Sequence, residues 1–357
     1  MTGADVSLTG YGVHVPDQIV TGAEIAAESG IPEDVVVEKM GLREKRVCPP
    51  DSEHVSDMCV QAGERAIADA GIDPASLDLV LFHGSEYKDH VVWSAAADVA
   101  ERLDATEAYA TESYSLCAGA PIALRQVRAQ LLADDIDAAL LVTASREEDL
   151  VDYDNERSSF MFNFGSGAAA AVLEADRGDA ASAHSRTADG SVADRTRATV
   201  HRSAAITDGS FSRDVVMPAG GSVEPASHES VEAGRHTLDV PDQDGMKERL
   251  GAVSLPNYLA VADDALARSG FDRSDLDFVA LTHMKRSFHE TLLEELGVDP
   301  ETDAYYLDQY GHVQSADQLL ALDEALQRER IAAGDVVLFL AAGTGYTWAA
   351  TVLTWTG

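Results

Sequence analysis

GIDPASLDLVLFHG, residues 71–84, returns in altered form as GFDRSDLDFVALTH, residues 270–283. The offset is 270 − 71 = 199. Each copy runs into a buried strand, Leu77 to Gly84 in the first and Phe278 to Thr282 in the second. A second pair follows in the same order. IDAALLVTAS places Asp137 before its strand and GDVVLFLAAG places Asp335 before its own, and 335 − 137 = 198. Each copy then closes with a glycine turn and a small-residue strand, GSGAAAAVL after Phe164 and GTGYTWAATVL after Ala342. Matched blocks in one order at nearly one offset indicate a duplicated unit. Strands alternate with helical stretches, so each unit is expected to be an α/β half built on a mostly parallel sheet.

The halves are expected at residues 1–176 and 249–357. Residues 177–248 are rich in Asp, Ser, Gly, Thr and His, with little long periodicity, and read as an irregular connection containing hairpins. Further helices are expected at Gly22 to Ser29, Pro32 to Met40, Ser56 to Ala70, Ser94 to Leu103 and Lys247 to Ser269. GLREKRV, from Gly41, is a basic island in an acidic chain.

The chain has 357 residues, 26 Lys plus Arg and 62 Asp plus Glu, for a formal charge of −36. The acidity is spread along the chain, as suits a protein kept soluble in a salt-rich cytosol where repulsion is screened. The same charge disfavours nucleic acid and anionic membranes. Three cysteines without close spacing make neither a disulfide framework nor a metal site, and Cys48 and Cys59 read as structural. The N-terminal stretch has no secretory pattern, and no apolar run is long enough to span a bilayer. A soluble, cytoplasmic protein is expected.

The chemistry gathers around TESYSLCAGAP, residues 111–121. This polar, turn-prone run delivers Cys117 to the start of an Ala- and Leu-rich helix, expected from Ala118 to about Ala133. Free N–H groups and the positive end of a helix dipole favour a thiolate there, and the thiolate is the nucleophile. A lone cysteine can equally be a small buried hydrophobe. Adding 198 to Cys117 lands on Ser315, in the loop YGHVQSAD, residues 310–317, at the start of another helix. In a pseudo-two-fold arrangement the two helix starts can face each other, which brings His312 toward Cys117. His283 ends a strand, where parallel sheets build their ligand crevices.

These residues resemble the β-ketoacyl-ACP synthase III branch of the thiolase-fold condensing enzymes over nearly the whole chain. The motifs are GLREKR at 41–46, LCAGAP at 116–121, FGSGAAAAVL at 164–173, YGHVQSADQLLALDEAL at 310–326 and AGDVVLFLAAGTGYTWAATVLTW at 333–355. The resemblance implies a five-layered αβαβα thiolase fold of two duplicated halves, usually a homodimer. It implies Cys117 as the acyl-accepting nucleophile and His283 as the first catalytic histidine, in a motif that reads HMKR here. The family's Gly-Asn pair is Gly311-His312 here, so the triad reads Cys-His-His. His312 could donate to an oxyanion or act as a general base. An oxyanion hole is implied at the N–H of Cys117 and in the GTG turn near Gly345. Lys39, Arg43 and Arg157 are implied contacts for the carrier of a CoA or phosphopantetheine thioester, although Val35 stands where the family stacks a tryptophan on adenine. Lys285, Arg286 and His289 share a helix start that could meet phosphopantetheine. Glu86 lies near the acid/base glutamate of the related 3-hydroxy-3-methylglutaryl-CoA synthases. Val91 to Trp93 match the region where one subunit reaches toward its partner's acyl pocket. No metal or tightly bound cofactor is implied.

Four outcomes compete at this level, the least of them transfer to water, which would make a thioesterase. One is condensation of an acyl group on Cys117 with a second thioester, supplied as acyl-CoA or on an acyl carrier protein, with or without decarboxylation. Another is transfer to an alcohol or amine. The third is a catalytically silent subunit that supports an active partner.

Overall fold

The computed structural model describes residues 5–133, 136–177 and 191–357, so part of the expected connection lies outside the described residues. The strands are β1 (Asp5–His14), β2 (Ile19–Thr21), β3 (Glu44–Arg46), β4 (Leu79–Gly84), β5 (Tyr109–Tyr114), β6 (Ala138–Ser145), β7 (Gly167–Asp176), β8 (Ala198–Thr207), β9 (Leu276–Leu281), β10 (Val336–Gly343) and β11 (Thr347–Trp355). The helices are α1 (Gly22–Ser29), α2 (Val55–Ala70), α3 (Ala95–Arg102), α4 (Gly119–Leu132), α5 (Val192–Arg195), α6 (His228–Glu232), α7 (Gln243–Ser269), α8 (Arg286–Leu296) and α9 (Asp317–Gln327).

The repeat is physical. Gly71 and Gly270 end α2 and α7 in the left-handed conformation that glycine adopts without a Cβ penalty. Asp73 and Asp272 each cap the short helical turn that follows. Asp78 accepts from the N–H groups of Asp137 and Ala138, and its counterpart Asp277 accepts from Val336 N–H. Each half therefore pins the start of its middle strand with one carboxylate.

Nine strands run in the order β5-β4-β6-β7-β1-β8-β11-β10-β9. Pairing is parallel within β5-β4-β6 and between β9 and β10. It is antiparallel at β6-β7, β7-β1, β8-β11 and β11-β10. The sheet is thus mixed rather than mostly parallel. The short Gly343–Thr347 connection explains part of this, because a tight turn can join only antiparallel neighbours. The halves meet at β1 and β8 through just Ser7↔Thr199 and Leu8↔Ala198. β8 is the second half's counterpart of β1, although its residues fall in the stretch expected as an irregular connection.

Alternation along the strands builds the layers. Leu79, Leu81, Phe278, Ala280, Val337 and Phe339 point inward onto Leu124 and Val127 of α4 and Leu319 and Leu320 of α9. Val80, Phe82, Leu140 and Val142 point outward under α2 and α3. Val279, Leu281, Leu338 and Leu340 do the same beneath α7 and α8. Helix, sheet, helix pair, sheet, helix is the expected five-layered order. Each fully buried Leu or Phe contributes about 1.5–3 kcal/mol, so these faces fix the register.

Candidate active site

Two matched backbone kinks lie at the centre. One helical turn, Leu116–Ala118, precedes α4, and another, Gln314–Ala316, precedes α9. Leu116 and Gln314, with φ of 50° and 55°, sit in the left-handed region, which costs a non-glycine residue roughly 1–2 kcal/mol. Each kink lifts the next side chain, Cys117 or Ser315, to the helix start. Glycine lets them crowd together. A Cβ on Gly119 would meet Ser315 Oγ at 2.2 Å, and one on Gly343 would meet Ser115 O at 2.6 Å and Cys117 N at 3.1 Å. Part of the expected turn-prone run is instead strand, because Tyr109–Tyr114 pairs in parallel with β4.

The thiol belongs to a hydrogen-bonded line. Cys117 Sγ lies 3.1 Å from His312 Nε2 and donates to Gln314 Oε1 at 2.7 Å. His312 Nδ1 lies 2.6 Å from Asp317 Oδ2. Asp317, fully buried at the start of α9, also accepts from the backbone N–H of His283 and of Val313, each at 2.7 Å. Burial works against charge on His312. The Asp317 carboxylate and the thiol at its two nitrogens outweigh it and hold the imidazole well above its ordinary pKa.

The loop carrying His312 is clamped. His312 N–H donates to Asn163 O at 2.7 Å, and Gly165 N–H donates back to His312 O at 3.0 Å. Gly311, at φ 73°, has no room for a Cβ, which would sit 2.4 Å from Asn163 O. Beneath this contact Lys45, from the basic island, is buried. Its Nζ donates to Phe162 O at 3.0 Å and Phe164 O at 2.7 Å. Burial lowers its pKa to about 8.

His283 follows β9 and lies against the Tyr306 ring at 4.8 Å between centroids. Its two ring nitrogens are buried and have no protein partner. Burial, then the neighbouring His312, His289 and Arg286, push its pKa well below the ordinary value, so the ring is neutral. His289 is buried beside the same tyrosine, with its pKa lowered to about 3 by burial and by Arg286.

Cys117, His283 and His312 open on one cavity of about 480 Å³. Its wall is largely apolar, with Val35, Met40, Phe160, Phe164, Leu250 and Phe288, and Lys39 and Lys285 also line it. Other expected residues are not in that wall. Glu86 and Arg43 are exposed elsewhere. The exposed Arg157 guanidinium pairs with Asp239 at 2.9 Å. Gly345, at φ 113°, is outside the lining, whereas Thr344 and Tyr346 on either side belong to it. Trp93 packs edge-on against His90 at 5.5 Å, away from the cavity. Arg286 covers the Tyr306 ring at 4.2 Å. Asp317, Gln314, Asn163 and Lys45 were not singled out by the sequence. Only Asp317 gave a usable signal, a carboxylate five residues after His312 in the same loop-to-helix motif.

Among the described residues no group of three or more His, Cys, Asp or Glu side chains could hold a metal ion. None of the described helices is long and apolar enough to cross a membrane. Family models described as 3-oxoacyl-[acyl-carrier-protein] synthase III and its C-terminal part match residues 113–190 and 266–355. The β-ketoacyl-[acyl-carrier-protein] synthase III of Desulfitobacterium hafniense (strain Y51) is 28% identical over 352 residues, 98% of each chain. Among solved structures, the 3-oxoacyl-[acyl-carrier-protein] synthase III of Aquifex aeolicus VF5 superposes with a TM-score of 0.79 at 20% identity, covering 98% of this chain and 100% of that one. The priming β-ketosynthase of the R1128 polyketide pathway superposes at 0.81 and 23% identity, covering 99% and 97%.

Proposed function

The chain belongs to a β-ketoacyl-ACP synthase III-like family of thiolase-fold condensing enzymes, and on that premise we propose that it loads an acyl group from a thioester onto Cys117 and passes it to a second thioester with carbon–carbon bond formation. The observation that carries this is the line Cys117–His312–Asp317 opening into an apolar cavity of acyl-chain character.

In the first half-reaction the Sγ proton passes to His312 Nε2, giving the imidazolium that Asp317 stabilises, and Sγ attacks the thioester carbonyl. The oxyanion is held by the N–H of Cys117 and an N–H of the Gly343–Tyr346 turn packed against it. The bond to the carrier sulfur breaks, and His312 gives its Nε2 proton to the leaving thiolate. Asp317 holds the ring by Nδ1, much as the carboxylate of a hydrolase triad does. In the second half-reaction the acceptor's thioester carbonyl meets the neutral His283. If the acceptor is a malonyl thioester, carbon dioxide leaves and the bond's electron pair forms the enolate. The enolate carbon attacks the acyl-enzyme, and Cys117 departs as thiolate.

The Asp317–His312 pair favours a second version. After acylation His312 is neutral and its Nε2 is free, so it can take a proton from an acceptor. A non-decarboxylating condensation, like that of the 3-hydroxy-3-methylglutaryl-CoA synthases, or transfer to an alcohol or amine would use that base. The carrier, CoA or an acyl carrier protein, would meet Lys39 and Lys285, and the reaction as written needs no bound cofactor. The same proposal includes a cytoplasmic homodimer. Val91 and Val92 are 88% and 101% exposed. The neighbouring edge strand β5 exposes Tyr109 and Tyr114, and a second copy would cover both features.

The test is intact mass in high-salt buffer after mixing with a panel of acyl-CoAs, with Cys117→Ala as control. A Cys117-dependent adduct discharged by malonyl-CoA with release of carbon dioxide is the decarboxylating outcome. An adduct stable to malonyl-CoA but discharged by another acceptor selects the general-base version. No adduct from any acyl-CoA or acyl carrier protein overturns the proposal and leaves a silent subunit.

A further inference from the structure

In the resting protein His312 Nδ1 lies against Asp317 and Nε2 against Cys117, and once acylation has taken the Nε2 proton the ring keeps its one N–H on Asp317 and has none for the acceptor. In a condensation, negative charge builds on the acceptor's carbonyl oxygen, and the cavity has to supply N–H donors there. Two buried polar side chains in its wall have unpartnered atoms. One is His283, with both ring nitrogens free. The other is Asn163, 7% exposed, whose amide Oδ1 is buried without a partner. Thr282, also in the wall, is already bonded to Gln318 Nε2 at 3.1 Å.

Asn163 is held as a preorganised donor would be. Its main-chain carbonyl accepts the His312 N–H at 2.7 Å, and Gly311 closes against that carbonyl with no space for a side chain. Lys45 fixes the carbonyls on either side, at Phe162 and Phe164. The backbone cannot move away from the site, whereas the amide is tied to nothing and can turn its NH₂ toward the cavity. Among the described residues the NH₂ has no hydrogen-bond partner in the resting protein, and the acceptor's carbonyl oxygen would supply one.

We propose that Asn163 is a further catalytic residue: its amide N–H, together with His283, donates to the carbonyl oxygen of the acceptor thioester as the enolate forms. Nothing covalent happens at Asn163, and it neither gains nor loses a proton. The division of labour is then spatial. His312 and Asp317 serve the sulfur, and His283 and Asn163 serve the acceptor oxygen. This assignment rests on the condensing function proposed above.

The test separates the half-reactions in the full-length protein. Acetyl-CoA and octanoyl-CoA load the enzyme, and malonyl-CoA or acetyl-CoA discharges it, both followed by rapid-quench intact mass. Asn163→Leu keeps the branched outline and the number of side-chain heavy atoms and removes the donor. Discharge is expected to fall about 10²–10³-fold, the usual effect of losing one oxyanion donor, and at least tenfold further than acylation. The loss is expected in kcat more than in KM for the acceptor. Should Asn163→Leu fold poorly, Asn163→Asp retains the shape and, when ionised, sets a negative charge against the enolate, so its discharge falls further as pH rises. Equal losses in both half-reactions, or wild-type discharge, overturn the assignment. A wild-type acyl-enzyme that no thioester discharges sinks the condensing function itself, and Asn163's role with it.

Discussion

At the scale of single residues, the site turns on what Asp317 does to His312. A buried histidine ordinarily loses its charge, as His283 and His289 do a few ångströms away. His312 keeps its proton because a fully buried carboxylate sits 2.6 Å from Nδ1. Asp317→Asn preserves shape and removes that charge. The folded pKa of His312 then drops, so the form able to protonate the leaving thiolate disappears at lower pH. The alkaline limb of the acylation rate, measured by rapid-quench mass against pH, is expected to move toward acid, with a fall of about 10²–10³-fold at neutral pH. The linkage to stability has the same origin. A raised folded pKa gives stability that is full below about pH 6.5, the unfolded value, and is lost as pH rises through the folded value. Wild type should therefore lose thermal stability on the alkaline side more steeply than Asp317→Asn, as scanning calorimetry across pH can show. An unchanged profile in both measurements would remove Asp317 from the mechanism.

At the scale of elements, the site is a joint between two loops and two helix starts, and its tolerances are tight. Lys45 in β3 carries the clamp, and Lys45→Met takes the donor from two buried carbonyls at once. Each unsatisfied group costs about 1–3 kcal/mol, so a fall of roughly 2–5 kcal/mol in unfolding free energy is expected from urea titration. The His312 loop should loosen with it. Gly343→Ala acts at the other wall. Its methyl would press on Ser115 O and Cys117 N, so acylation should fall by about tenfold or more, while circular dichroism stays native. How much of this was legible follows from range. The repeat could be read because its caps, turns and alternating strands are local signals. Cys117, His283 and His312 could be found because their motifs carry the family resemblance. Lys45 could not, because its burial depends on carbonyls 117 and 119 residues away. Asn163 reads as an ordinary polar residue until Gly311 and His312 are folded onto it. β5 escaped because an edge strand with no fully buried residue has no two-residue period. β8 escaped because six of its ten residues are exposed or partly so and its pairing with β11 is interrupted by a register shift.

At the scale of the molecule, charge is the dominant feature, and it bears on stability and assembly together. With 62 acidic against 26 basic residues, the folded chain confines a net charge of −36. The arginines are largely spent on local pairs, such as Arg273 with Asp263 and Arg249 with Asp214, at 2.6 and 2.7 Å. These exposed pairs offset little of the repulsion. Unfolding spreads the charges apart, so repulsion favours the unfolded chain and salt weakens it. The Debye length shrinks from about 10 Å at 0.1 M salt to about 3 Å at 1 M. Melting temperature is therefore expected to climb with KCl through this range and to keep rising into molar salt, where preferential burial also strengthens. Dimerisation should follow the same curve, because joining two chains of like charge is opposed at low salt while the exposed Val91–Val92 segment and the β5 edge favour it. Light scattering against KCl should show monomer giving way to dimer as salt increases. Val92→Glu should hold the chain monomeric at salt concentrations where wild type is paired. A melting temperature that is flat or falls with KCl would refute the salt-rich setting. A Val92→Glu chain that still pairs like wild type would move the interface elsewhere.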